Sequence, residues 1–177
     1  MERKDIILDA VEKNKELVLN AERWLWAHPQ TGYTEWQAHE YLVSKFQQLG
    51  YEVIPAGNIP GFYTDVETGK KGPTLYIMGE LDALDIANHK EAVDGMSHAC
   101  GHHAQVSALL GIAAALKEDG ILDGMCGKIR LVAVPAEEMI QLDYRESLLQ
   151  KGEISYMAGK VEMMRRGFFN ERGLAVM

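Results

Sequence analysis

The sequence predicts an α/β layered domain, and three observations carry that prediction. Runs with strand character at 51–55, 61–66, 74–79 and 128–134 intermix with stretches of helical period. The chain is 177 residues long and 47% hydrophobic, enough to bury a real core. Residues suited to chemistry gather at or behind the ends of those runs, at Asp82, Cys100 and Glu137. That is where open α/β sheets place their sites.

Taken in order, apolar residues recur at helical spacing from Ile6 and Ile7 through Ala10, Val11, Leu17, Val18, Ala21 and Trp24 to Leu25. They predict one amphipathic helix packed on the core and stopped by Pro29. Its polar side mixes acids with bases, which favours core packing over a membrane surface. A second helix starts at Thr34-Glu35-Trp36-Gln37, which offers a capping box, and closes at Gly50. His28 and His39 show no partner pattern and receive no role. Strands follow over Tyr51 to Pro55 and Gly61 to Val66, then a Gly- and Lys-rich turn (Gly69 to Pro73), then a strand over Thr74 to Gly79. His89, in the loop after Asp82, reads as exposed.

The run Val106, Leu109, Leu110, Ile112, Ala113, Leu116 predicts a buried helix, and Lys128 to Val134 a buried strand. Short helices over Tyr144 to Gln150 and Ala158 to Arg166 flank Gly152. Met139, Met157, Met163 and Met164 read as core filler. No repeat or low-complexity segment is present, so residues 1–177 read as a single domain. A net charge of -8 argues against nucleic acid or an anionic membrane as partner. Two cysteines in different surroundings, with no signal peptide before them, make no disulfide framework and suggest the cytoplasm.

The chemistry concentrates in Gly95-Met96-Ser97-His98-Ala99-Cys100-Gly101-His102-His103. A thiolate and an imidazole nitrogen separated by one glycine can turn towards one metal ion. A helix N-terminus there would favour the thiolate, which also raises a redox-active Cys100 as an alternative. The plain alternative is a buried structural cysteine beside unrelated histidines. The strand ending at Val134 runs into Pro135-Ala136-Glu137-Glu138. Neighbouring side chains of an extended segment face opposite sides, so one carboxylate can bind an ion while the other serves as a general base.

Three segments together, Glu80-Leu81-Asp82-Ala83-Leu84, His98-Ala99-Cys100-Gly101-His102 and Pro135-Ala136-Glu137-Glu138, resemble the signature of metal-dependent amidohydrolases of the aminoacylase and hippurate hydrolase type, in metallopeptidase clan MH. The chain is most similar to their aminobenzoyl-glutamate hydrolase-like branch, which also shows a segment like Tyr144-Arg145 through Gly159-Lys160. The resemblance runs from Trp24 to Met177 and includes the corner from Ala27 to Glu35. Glu80 and His103 depart from it, standing where aspartate, and aspartate or asparagine, are common.

The resemblance implies a three-layer α/β/α domain with a mixed central sheet, as in zinc exopeptidases. It implies Cys100, His102 and Glu138 as metal ligands, Glu137 as general base, and Asp82 orienting the ligands through hydrogen bonds. A thiolate suits zinc, with manganese or cobalt as alternatives. The implied substrate is a small N-acyl or N-aroyl amino acid or a dipeptide.

Gly173 to Met177 reads as a core strand that nothing polar closes. By the resemblance this chain is the amino-terminal portion of the catalytic domain, incomplete at its C-terminal end and without the lid or dimerisation domain. Two metals per complete site become at most one here. An unpaired sheet edge favours self-association, so a homo-oligomer is expected. The alternative function is a catalytically silent fragment, or a metal-binding or assembly module.

Overall fold

A computed structural model describes residues 3–177. In chain order its elements are α1 (Arg3–Lys13), α2 (Lys15–Ala27), α3 (Trp36–Gln48), β1 (Ile54–Pro55), β2 (Phe62–Glu67), β3 (Thr74–Glu80), β4 (Leu84–Asp85), β5 (Met96–Ser97), α4 (His102–Ala115), β6 (Lys128–Val134), α5 (Leu142–Gln150), α6 (Gly159–Arg165) and β7 (Gly173–Val176). Five strands form a sheet in the order β1-β2-β6-β3-β7. The pairs β1–β2 and β2–β6 are antiparallel, while β6–β3 and β3–β7 are parallel, so the sheet is mixed.

Strand β6 is central and buried on both faces, which is why its sequence is a run apolar but for Arg130 after Lys128 rather than an alternation. Ile129, Leu131 and Ala133 face a core shared with α2, α3 and α4, including Leu25, Leu42, Phe46, Leu109 and Leu110. Val132 and Val134 face a second core with Leu148 of α5, Met163 of α6, Ile154 and Phe168. The chain is therefore an α/β fold with helices on both faces of the sheet. Arg130, a charge in the interior of β6, is buried because Asp65 on β2 takes it in two hydrogen bonds of 2.7 and 2.8 Å.

The crossover from β3 to β6 runs through α4, and the crossover from β6 to β7 runs through α5 and α6 on the opposite face. Adjacent parallel strands whose connections leave to opposite faces open a crevice at their carboxyl ends. Glu80 to Asp82 and Pro135 to Glu138 lie at that crevice, as the sequence predicted.

Several local expectations are corrected. The predicted single helix up to Leu25 is two helices: Asn14 breaks it, its side-chain amide donating to Ala10 O at 2.8 Å in competition with the backbone ladder. Ile7 and Val11 on α1 are exposed rather than packed. No capping box forms at Thr34, whose hydroxyl donates to Thr31 O. Gln30 Oε1 instead accepts from Gln37 N at 2.8 Å. The strand over Tyr51 to Pro55 shrinks to Ile54–Pro55, since Tyr51 turns inwards and its hydroxyl donates to Ala113 O. Of the four methionines read as core, Met163 is fully buried, whereas Met139 and Met164 are exposed and Met157 is half-buried. His89 is half-buried, 3.3 Å from Ser97 Oγ. The final strand does form: β7 pairs with β3, and Leu174 and Val176 are exposed along it.

Helix α6 is fastened by one buried acid. Glu162 accepts from Ser155 N at 2.9 Å, Tyr156 N at 3.1 Å, Arg165 Nη2 at 2.5 Å and Arg166 Nε at 2.8 Å. Burial works to raise its pKa, but the arginines and backbone N–H groups outweigh burial and hold it at about 2. A carboxylate lowered from an ordinary 4.5 contributes stability that is present above pH 4.5 and lost as pH falls towards 2. Glu162→Gln is therefore expected to cost about 3 kcal/mol at neutral pH, by leaving the guanidinium groups without their anion. The deficit should shrink below pH 4.5, read from urea midpoints at pH 7 and pH 3.

Candidate active site

The site is built from the two loops at the carboxyl ends of β3 and β6 and from the start of α4. Gly101 joins Cys100 to α4 with φ at +97, a left-handed conformation that glycine adopts without strain. The turn places His102 in the first turn of α4, 3% exposed, below the exposed Cys100.

His102 is the hub. Its Nδ1 lies 2.9 Å from Asp82 O and 3.1 Å from Asp82 Oδ1. Both are acceptors, so Nδ1 carries a proton and donates it, leaving Nε2 to face the site. Around Nε2 stand Glu80 Oε2 at 3.0 Å, Glu137 Oε2 at 3.9 Å and Glu138 Oε1 at 3.9 Å. Burial works to lower the imidazole pKa, but hydrogen bonds to Asp82 and Glu80 outweigh it and raise it to about 10. Glu80, itself 3% exposed, is held at about 2 against burial by His102 and by an ion pair with Lys160.

The five residues singled out in the sequence, Asp82, Cys100, His102, Glu137 and Glu138, come together, and Glu80, for which the sequence predicted no role, joins them. Cys100, His102 and Glu138 present donor atoms within 4.8 Å of one another, and so do Glu80, His102 and Glu137. Ligands at about 2.0–2.3 Å in a tetrahedral shell stand about 3.3–3.7 Å apart, so a small contraction would let either group hold one ion. The donor chemistry fits a divalent cation: a thiol and three carboxylates converge on an imidazole whose other nitrogen is already committed to Asp82.

One expectation fails. The Cys100 thiol is pushed up to about 11, first by its hydrogen bond to Glu138, then by burial and by the charges of Glu138, Glu137 and Glu80. The thiol therefore does not have the lowered pKa that a redox-active reading needs.

Sequence reasoning assigned no role to three residues that act around the loop after β6, Glu35, Arg145 and Lys160, although the last two lie in a segment that shares the resemblance. Asp82 Oδ2 accepts from Glu138 N at 2.8 Å, and fully buried Glu35 accepts from Ala136 N at 2.7 Å. Fully buried Arg145 donates to Ala136 O at 3.3 Å, to Met157 O at 2.8 Å and to Glu138 O. Together they hold Ala136 at φ +53, a left-handed conformation uncommon for alanine. Gly32 belongs to this clamp, because a Cβ there would lie 2.2 Å from Arg145 Nη2. Lys160 is the third missed residue, 3.4 Å from Glu137 Oε1. Arg145 left a signal three residues before Leu148 on the buried side of α5, whereas Glu35 was hidden in an apparent capping box.

The remaining histidines pack away from Nε2. His98 is buried with neither ring nitrogen hydrogen-bonded among the described residues, and burial lowers its pKa to about 4. His103 Nε2 is 3.3 Å from Glu22, and its ring lies edge-on to Trp26 of α2. His28 Nδ1 is 2.6 Å from Trp24 O, and His39 Nδ1 accepts from Gly61 N at 3.1 Å, so both have structural partners.

Glu35 also yields a pH test. Burial, reinforced by the charge of Asp82, raises its pKa to about 8 despite the Ala136 hydrogen bond. An acid raised from 4.5 contributes stability that is complete below pH 4.5 and lost as pH rises towards 8. Glu35→Gln keeps an acceptor for Ala136 N and carries no charge. Its stability relative to wild type should rise between pH 5 and pH 8.5 by on the order of 3 kcal/mol, measured by urea unfolding at both.

Comparison with known proteins identifies the family. Residues 76–166, from β3 to the end of α6, match peptidase family M20/M25/M40. N-acetyl-L-cysteine deacetylase of Bacillus subtilis is 30% identical over 146 residues, covering 77% of this chain and 33% of the deacetylase. The crystal structure of a putative aminohydrolase from methicillin-resistant Staphylococcus aureus superposes with a TM-score of 0.67 at 27% identity, over 77% of this chain and 37% of that one. The YXEP protein of Bacillus subtilis, described as a dinuclear metal-binding peptidase of family M20, superposes with a TM-score of 0.61 at 25% identity, over 76% of this chain and 38% of that one. The chain thus spans between a third and two-fifths of the length of these relatives. With the matched segment covering more than half of the chain and containing every residue of the carboxylate–imidazole cluster, the chain belongs to peptidase family M20/M25/M40.

Proposed function

We propose that this chain carries the metal-binding and proton-transfer half of a hydrolase that cleaves the amide bond of N-acyl or N-aroyl amino acids, or of small peptides. The observation that supports this reading most is the pair of neighbouring carboxylates, Glu137 and Glu138, on either side of one imidazole nitrogen. Cys100, His102 and Glu138 would hold a divalent ion, zinc being best matched to the thiolate. When bound, such an ion would supply Lewis acidity towards the scissile carbonyl and the attacking water.

The protein's own groups do the rest. Asp82 accepts the Nδ1–H of His102 and fixes the ring, so that Nε2, once it gives up the proton held there against Glu80, would offer its lone pair to an ion. Glu137, about a third exposed, is reached from solvent without moving the buried groups beneath it. It takes the proton from the attacking water and returns it to the leaving amine, one residue acting as base and then as acid. The relative that deacetylates N-acetyl-L-cysteine supports an N-acyl amino acid as substrate. Among the described residues no helix is long and apolar enough to cross a membrane. The two cysteines are unpaired, which accords with a cytoplasmic enzyme.

A second reading, metal binding without turnover, draws support from the openness of the site. Cys100 is exposed, and Glu137 and Glu138 keep about a third and a fifth of their side-chain surface. Hydrolases gain from excluding water around the reacting bond.

Glu137→Gln separates the two readings. The variant should retain zinc with about wild-type stoichiometry and lose about 10²–10⁴-fold in amine release from a panel of N-acetyl amino acids. Turnover that survives this change would remove Glu137 as the base. A wild-type chain that binds zinc through Cys100 yet releases no amine would favour the second reading.

A further inference from the structure

Two groups of donor atoms share His102: Cys100, His102 and Glu138 form one, Glu80, His102 and Glu137 the other. An ion at Nε2 that accepted both would gather five protein donors and leave no open position, and Glu137 would be lost to proton transfer. Distance does not choose between them, because Glu80 is nearer to Nε2 than Glu138 is.

Lys160 does distinguish them. Its ammonium forms an ion pair with Glu80 and lies 3.4 Å from Glu137 Oε1, which are the two carboxylates of the second group. It is placed there by the fold. Gly159, the first residue of α6, donates its N–H to Ala136 O at 3.0 Å, so the start of the helix is docked on the loop that carries Glu137. The Lys160 side chain is 30% exposed and Glu80 is 3% exposed, so the pair is shielded enough for its attraction to matter.

We propose that Lys160 selects the ligand set. By pairing with Glu80 and Glu137 it withholds both carboxylates from a divalent ion, which leaves Cys100, His102 and Glu138 as ligands and Glu137 free to carry protons. Lys160 is a positioning residue, acting through the two acids and touching neither ion nor substrate. The proposal rests on the metal-site reading above.

Cobalt(II) tests it without any measurement of turnover. Four-coordinate cobalt absorbs strongly in its d–d bands, five- and six-coordinate cobalt weakly, and a thiolate ligand adds a charge-transfer band. The wild-type chain is expected to show strong d–d absorption and a charge-transfer band that Cys100→Ser removes. In Lys160→Met the freed carboxylates should enter the coordination shell. Cobalt then binds about tenfold tighter in competition with a chelator, the d–d absorption weakens and the charge-transfer band stays. Removing a positive charge would tighten binding by itself without altering the spectrum, so the spectrum is the deciding readout. Lys160→Arg should restore the strong d–d absorption, and Glu137→Gln added to Lys160→Met should recover much of it. Lys160→Gln provides a second substitution should methionine disturb folding.

A Lys160→Met or Lys160→Gln chain with the wild-type spectrum, or with weaker cobalt binding, overturns the proposal while leaving the metal site intact. A wild-type chain with no Cys100-dependent charge-transfer band overturns the site reading itself.

Discussion

Four carboxylates, those of Glu80, Asp82, Glu137 and Glu138, close on a single imidazole, and the loops around it are shaped by the cost of holding like charges together. Each acid would be cheaper in water. They stay because each has partners to offset its charge, Lys160 being shared between Glu80 and Glu137. Asp82 takes the His102 Nδ1 proton and the Glu138 N–H, and Glu80 takes Lys160. Glu138 takes the Cys100 thiol, and Glu137 is left with Lys160 at a longer distance and with solvent. The resulting gradient runs from fully committed to barely committed. The least committed acid is the one to which proton transfer is assigned.

The sheet makes this crowding possible. Parallel strands β3 and β6 end side by side, and their connections leave to opposite faces, so two loops with no sequence proximity meet over one crevice. The register brings Glu80 opposite Val134, so the acids that follow each strand start from the same level. The left-handed Ala136 then redirects the chain, and the clamp of Glu35 and Arg145 holds that turn. Arg145 and Glu35 are both fully buried, yet neither reaches the imidazole. They bind the backbone of the loop, which suits groups that set geometry rather than chemistry.

What the sequence made legible follows from how local each signal is. Strand β6 was readable to the residue, because burial on both faces forces a run between Lys128 and Pro135 that is apolar apart from Arg130. The pairs Cys100–His102 and Glu137–Glu138 each stand out because chemistry-bearing residue types lie close together along the chain, but joining the two pairs into one cluster came from the resemblance of three segments to the amidohydrolase signature. Glu35 was not: its partner is Ala136 N, 101 residues away, and a glutamate after threonine looks like a helix cap. The break at Asn14 was missed because apolar periodicity continues across it, while the competing hydrogen bond to Ala10 O involves a polar side chain that periodicity ignores. The Cys100 pKa was judged from the helix end alone, and three carboxylates contributed by other segments reversed its direction. In each failure the deciding partner lies outside the pattern that the reading used.

The same reasoning explains why the inner and outer layers of the site differ in exposure. Asp82 and Glu35 are fully buried and His102 nearly so, whereas Cys100 is exposed and Glu137 and Glu138 are partly so. Orientation needs rigid groups with few rotamers available, which burial provides. Ligand exchange and proton transfer need groups that water and substrate can reach. Placing the first set on the floor, where strands and helix are packed, and the second on the loops above it satisfies both demands with side chains drawn from one short span of the sheet. Lys160 sits between the layers, with a buried acid on one side and a solvent-facing acid on the other, and it adds a side-chain link from floor to loop to the backbone links made by Asp82, Glu35 and Arg145.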